Sequence, residues 1–422
     1  QSAMAVPPRV LIRYASTLSK EATRIEVRRQ KRANCAVYGF GLSASGALSI
    51  PALVVQDQKV TSRETHKPMR ISYCNLREIK KVSSGFGFSL FASRNKVYGS
   101  GLNNRFQIAG RQLDQGGAEE YYISGRRIGG LPNGKVVDIA SGRAHSLVIV
   151  DDKVYAFGCN VHGQCGQDPA TATETVVVSG DDQVLPPVVL PTSSKPVAVH
   201  AALDTSFVLT EDGKLYAFGL NEDGQCANGR QGIQTEAKEI IGDTQGERLL
   251  SVAGSTDTLM AVGESGRLFI WGQNEYGQAG VEHADEIQLT SSRVLSSSSL
   301  RDKRVVDAAA TATTCVAATE DGVVYSWGVG VLGFGPDSVR LNHPTNMPQT
   351  LFDGVKVHRV HAGNVACAAI NDEGNVFVWG QNRYGLLGLG HTRDQLFPFP
   401  LFFQENVKQI SIGPDHTLVV VK

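Results

Sequence analysis

The chain has 422 residues, 41% of them apolar and 19% charged. That composition can furnish a large core, and no run of 18 or more apolar residues marks a membrane-spanning helix. Lys and Arg total 41, as do Asp and Glu, so overall charge offers no broad nucleic-acid face. Seven cysteines, odd in number and without a Cys-x-x-Cys pair, argue against a secreted disulfide framework and for a reducing compartment.

Taken in chain order, residues 1–33 form a basic arm. Arg9, Arg13, Lys20, Arg24, Arg28, Arg29, Lys31 and Arg32 stand there against Glu21 and Glu26. No acid precedes Glu21, and Ser, Thr and Ala lie between the cations, as in a mitochondrial presequence; a solvated basic tail is the alternative. The remainder, 34–422, is mildly acidic, with 33 basic against 39 acidic residues.

From residue 37 onward a motif recurs in which an apolar run ends in a glycine turn. Its copies are "VYGFGLSASGALS" (37–49), "VYGSGLNNRFQIAG" (97–110), "VYAFGCNVHGQCG" (154–166), "LYAFGLNEDGQCA" (215–227), "LFIWGQNEYGQAG" (268–280), "VYSWGVGVLGFG" (324–335) and "VFVWGQNRYGLLG" (376–388). The leading glycines fall at 41, 101, 158, 219, 272, 328 and 380, a step of 52 to 61 residues. A second motif, apolar residues then Gly-x-x-His-Ser, is fullest at "VDIASGRAHSLVIV" (137–150). It precedes six of the seven glycine turns and occurs once more at "KQISIGPDHTLVVV" (408–421). Its glycine position is read at 85, 142, 202, 254, 311, 363 and 413. The first glycine turn therefore has no second motif before it, and the last second motif has no glycine turn after it. Joining these two orphans makes one composite unit from both termini, which is how a ring of blades closes its open edges. The expected fold is all-β, a seven-bladed β-propeller.

The paired strands are joined by acidic-Gly turns such as "EDGK" (211–214), "EDGV" (320–323) and "DEGN" (372–375). Variable stretches 167–196, 228–248, 281–304 and 336–357 fill blade edges and loops, and "SSSSLRDKR" (296–304) reads as an exposed, mobile loop. In "WGVGVLGFGP" (327–336), Gly328, Gly330 and Gly333 satisfy the dinucleotide pattern G-x-G-x-x-G, but Pro336 and "DSVRLNHP" follow instead of a helix, so that reading fails its context. Half a phosphate-binding loop, G-x-x-x-x-G, recurs in most repeats, never followed by Lys and Ser/Thr. No metal motif is present; His358 and His361 lie on opposite faces of one strand. Cys165 and Cys226 share one repeat position, as do Cys315 and Cys367, which suits packing. No nucleophile–base pair stands out, so neither an enzyme nor a cofactor protein is expected.

These two motifs, at this spacing, resemble the regulator of chromosome condensation family over residues 34–422. The stretches 326–354 and 37–51 resemble its mitochondrial, guanine-exchange-factor-like branch. The resemblance implies guanine-nucleotide exchange on a mitochondrial GTPase, either the dynamin-like fusion GTPase or a ribosome-assembly GTPase. It also implies the residues that face that GTPase: Asp415 and His416 in "GPDH", His145 and Arg143 in "GRAH", Asp257, taken at the His position of "GSTD", and Asp204. The alternative for these polar residues is that they tie neighbouring blades together. A second expectation from the same branch is a non-catalytic scaffold binding rRNA or large-ribosomal-subunit assembly proteins, through segments such as 94–105, 125–127 and 291–304. Mitochondrial location, in the matrix or on the inner membrane through a partner, follows from the branch and the basic arm.

Overall fold

Each repeat folds into one antiparallel four-stranded sheet because its apolar runs are short, rich in Val, Phe and Trp, and punctuated by turn-forming glycines. The structure, a computed structural model, describes residues 35–54, 63–108, 120–175, 184–280 and 285–422. The basic arm lies outside the described residues. Seven such sheets form the blades of a propeller. Blade 1 is the composite one. Its inner strand is Val407–Ile412 and its second strand His416–Val421, both from the C-terminus, while the third, Ala36–Leu42, and the outer, Glu64–Arg70, come from the N-terminal end. The closure is a continuous register from Ala36 opposite Val421 to Gly41 opposite His416.

The other blades follow in chain order. Their inner strands are Lys81–Ser84, Val136–Ser141, Pro196–Ala202, Leu249–Ala253, Val305–Ala310 and Val357–Ala362 for blades 2 to 7. Their second strands start at Phe88, His145, Thr205, Thr258, Thr314 and Ala366. Every second strand is buried along its length, because it is covered by neighbours on both faces. The packing between blades is apolar: Phe207, Trp271 and Trp327 are fully buried in one cluster running across blades 4 to 6.

Strand direction alternates, so the propeller has two chemically distinct faces. The loops between inner and second strands, and the glycine turns between third and outer strands, lie on one, here called the hairpin face. The acidic-Gly turns and the connections from each outer strand to the next inner strand lie on the other, the return face. The segment 296–304 is mostly exposed, as expected, but it is anchored. Leu300 is buried, Ser299 Oγ donates to Pro344 O (2.5 Å), and the Arg304 guanidinium donates to Ser265 O and Glu264 O (2.8 Å each). Serine-rich composition suggested a loose loop, but one buried leucine and one bracing arginine tie it down.

Candidate functional site

The leading glycine of each turn positions the loop across from it. At Gly41 φ is +102°, and a Cβ there would lie 2.5 Å from Asp415 O; at Gly158 φ is +110°, and a Cβ would lie 2.5 Å from Ala144 O. With no side chain, the third strand lies flush against the residue that precedes the second strand. This register corrects one sequence assignment. Gly272 pairs with Thr258, as Gly158 pairs with His145 and Gly41 with His416. Thr258, not Asp257, therefore holds the histidine position, and the glycine position of blade 5 falls at Ser255 rather than Gly254. Asp257 stands one residue earlier, where blade 4 has Asp204 and blade 1 has Asp415. Three carboxylates thus share one structural position on the hairpin face.

Each is held differently. Gln164 Nε2 donates to Asp204 Oδ1 (3.1 Å), and Arg143, half exposed, forms an ion pair with Asp204 Oδ2. Gln225 Nε2 donates to Asp257 Oδ1 (2.8 Å). Burial pushes the Asp257 carboxyl up, with Asp223 and Asp204 adding to the rise; the Gln225 hydrogen bond and Arg143 oppose it. Asp415 Oδ1 accepts from His416 Nδ1 (2.6 Å). The two glutamines belong to the repeating "GQ" of the glycine turn, a signal visible in sequence whose orienting role was not. Each reaches from the preceding blade to the acid of the next.

The two histidines are fully buried. His145 Nε2 meets Ser206 Oγ of blade 4 (3.0 Å), and that hydroxyl's single proton goes to Gln164 O (2.7 Å), so Nε2 carries the proton. His416 is the opposite tautomer: Nδ1 donates to Asp415 and Nε2 accepts from Ser89 Oγ of blade 2 (2.7 Å). Both imidazoles bridge adjacent blades beneath the face, while Arg143, Asp257 and Asp415 present polar groups at it.

Burial lowers the His145 pKa from 6.5 to about 4, so the fold binds the neutral ring. Its contribution to stability is complete above pH 6.5 and is lost as pH falls toward 4. Between pH 7.5 and 4.5, His145→Gln is expected to lose about 2.5 kcal/mol less unfolding free energy than the parent chain, read from urea titrations at both pH values. Equal losses would show that His145 does not titrate as a buried ring.

Among the described residues, no group of three or more His, Cys, Asp or Glu side chains could hold a metal ion. The segments considered for RNA contact are spread over both faces. Arg94 and Lys96 sit on a return-face turn, Arg105 pairs with Glu174 (3.2 Å), and Arg126 lies over the Tyr122 ring.

Models of the regulator of chromosome condensation (RCC1) repeat match residues 373–420, and 136–164 with 203–225. The human RCC1-like G exchanging factor-like protein is 32% identical over 411 residues, covering 92% of this chain and 86% of that protein. The crystal structure of human WBSCR16 superposes with a TM-score of 0.81 at 30% identity, over 92% of this chain and 99% of that one. Prp20p from Saccharomyces cerevisiae, whose structure was described with its binding to Gsp1p and histones, shares the fold at a TM-score of 0.71 and 17% identity, over 92% of this chain and 91% of that one.

Proposed function

The chain belongs to the RCC1 repeat family, and on that premise we propose that it is an exchange-factor-like propeller that loosens guanine nucleotide from a mitochondrial GTPase. Two candidates fit the mitochondrial branch, the dynamin-like fusion GTPase and a ribosome-assembly GTPase. The observation that carries this reading is the pair of equivalent, partly exposed acids Asp257 and Asp415 on the hairpin face; the third, Asp204, is buried and ion-paired with Arg143, whose half-exposed guanidinium stands at the face in its place. Carboxylates set on a rigid ring can compete with a nucleotide's phosphates for the cations that hold them. No covalent chemistry is required. Tighter binding to the nucleotide-free GTPase than to the loaded one weakens nucleotide affinity by the same factor.

In a nucleotide-release assay with purified mitochondrial GTPases, the chain is expected to accelerate release. The double variant Asp257→Asn with Asp415→Asn is expected to lose at least tenfold of that acceleration while keeping its unfolding midpoint. Release that the chain does not accelerate, or that the variant accelerates equally, would remove this reading.

The return face favours a second reading, a scaffold for rRNA or large-subunit assembly proteins. Among the described residues, Lys80, Arg94, Lys96 and Lys422 stand on that side without an acid partner, around the seam of blades 1 and 2. Phosphate contact there would weaken steeply with salt. Crosslinking in mitochondria that recovers neither rRNA nor an assembly protein would exclude it. Mitochondrial residence itself rests on the family branch and the basic arm, and fractionation of the tagged full chain tests it.

A further inference from the structure

The inner strands repeat their cross-blade contacts, and on one arc of the central channel two of these contacts lack their protein partner. In blade 3, Asp138 works in both directions. Its Oδ2 accepts from Val199 N of blade 4 (3.1 Å), and its Oδ1 receives the Lys81 ammonium of blade 2 (2.6 Å). Asp307 holds the same register position in blade 6. Its Oδ2 accepts from Val360 N of blade 7 (3.0 Å), but its Oδ1 meets only the adjacent Ala308 N (3.1 Å). Where blade 2 supplies Lys81, blade 5 supplies Ser251, as the pairing of Lys81 with Ala92 and of Ser251 with Val262 shows. Arg359, the cation that acts on Asp307 from blade 7, donates Nη1 to Lys408 O (3.0 Å). Burial accordingly pushes the Asp307 carboxyl up to about 6.

His361 is the second case. Its counterpart in blade 4, His200, bonds through Nε2 to Gly254 O (2.6 Å). The His361 Nε2 is buried and meets no partner. Asp307, Ser251 and His361 all line the channel cavity, of about 290 Å³.

In every blade but the second, the inner-strand register slips just after the first residue. In blades 4, 5 and 6 the bulges leave Val197, Leu250 and Val306 unpaired and 41%, 50% and 43% exposed, whereas blades 1 and 7 have the exposed Lys408 and His358 in that place. Leu250 and Val306 directly precede Ser251 and Asp307. The aliphatic strand ends of blades 5 and 6 suit the apolar stem of an alkylammonium, and the recessed Asp307 carboxylate suits its cationic head.

We propose that the central channel receives a primary ammonium group on an alkyl stem, which forms an ion pair with Asp307 beside Ser251. The head takes the place that Lys81 fills for Asp138, and His361 offers the cavity a further hydrogen-bonding nitrogen. The ammonium can come from a lysine side chain of a partner or from a free alkylamine, and the proposal is independent of exchange activity.

Calorimetric titration of the full chain with n-butylammonium and with Nα-acetyl-lysine N-methylamide tests it, with n-butanol as the uncharged control. Saturable binding of butylammonium, at least tenfold tighter than butanol, is expected. Binding of both ammonium probes identifies a lysine-like occupant, and binding of butylammonium alone a free amine. Asp307→Asn is expected to weaken binding at least tenfold. Ser251→Lys rebuilds the blade 2–3 arrangement, so it is expected to abolish binding and raise the unfolding midpoint, and it decides the matter if Asp307→Asn does not fold. Absence of saturable binding, equal binding of butanol, or unchanged binding to Ser251→Lys would overturn the proposal.

Discussion

Trp327→Ala is expected to lower the unfolding free energy by about 3–5 kcal/mol, the range for deleting a fully buried aromatic side chain. The indole is fully buried in the cluster that joins blades 4 to 6, and Nε1 donates to Gln278 O of the preceding blade (2.7 Å). Trp271 makes the same bond to Gln225 O (2.7 Å). Trp379 holds the equivalent place in blade 7, yet its Nε1 meets no acceptor. The pair makes a graded test. Trp327→Phe removes a made hydrogen bond and should cost about 1–3 kcal/mol beyond its lost contacts. Trp379→Phe removes an unpaired donor, so only lost contacts should count. Denaturant midpoints for the three variants check this, and equal costs for the two Phe variants would contradict the assigned bonding.

Gly41→Ala is expected to cost about 2–4 kcal/mol, from left-handed backbone strain plus overpacking. A methyl group at φ +102° would sit 2.5 Å from Asp415 O and 2.7 Å from His416 Cα. Those are backbone atoms and cannot swing aside as a side-chain end would. The substitution lies on the closing strand, so the loss should appear as earlier unfolding together with faster hydrogen exchange along Ala36–Leu42 and His416–Val421. Gly232→Ala is the control, because a Cβ there meets nothing within 4 Å although φ is +108°; it should show the strain alone. Equal losses at both positions would mean that close approach at Gly41 adds nothing.

The blade count and the closure were legible because both depend on local patterns, repeated glycines and one orphan motif at each end. The placement of Asp257 was not. In "AGSTDT" two adjacent residues, Gly254 and Ser255, compete for the glycine position, and only the pairing of Thr258 with Gly272 separates them. The histidines were legible as a pattern but not as an environment. What buries His145 is Ser206, 61 residues on, and what buries His416 is Ser89, 327 residues back. The bulges that leave Val197, Leu250 and Val306 unpaired and exposed leave no mark in an apolar run. They are set by how seven inner strands fan around a channel.

The pairing of Ala36–Leu42 with His416–Val421 has a consequence for biosynthesis. Of the described propeller strands, Ala36–Leu42 leaves the ribosome before the others, and its partner His416–Val421 follows them all. Until then the nascent polypeptide carries two unsatisfied sheet edges, each able to recruit a neighbouring chain. Pairing over so long a separation in sequence is also intrinsically slow. The interval between synthesis and closure is therefore when this propeller is most exposed to edge-to-edge pairing, and a chain lacking His416–Val421 should aggregate rather than settle as a six-bladed ring.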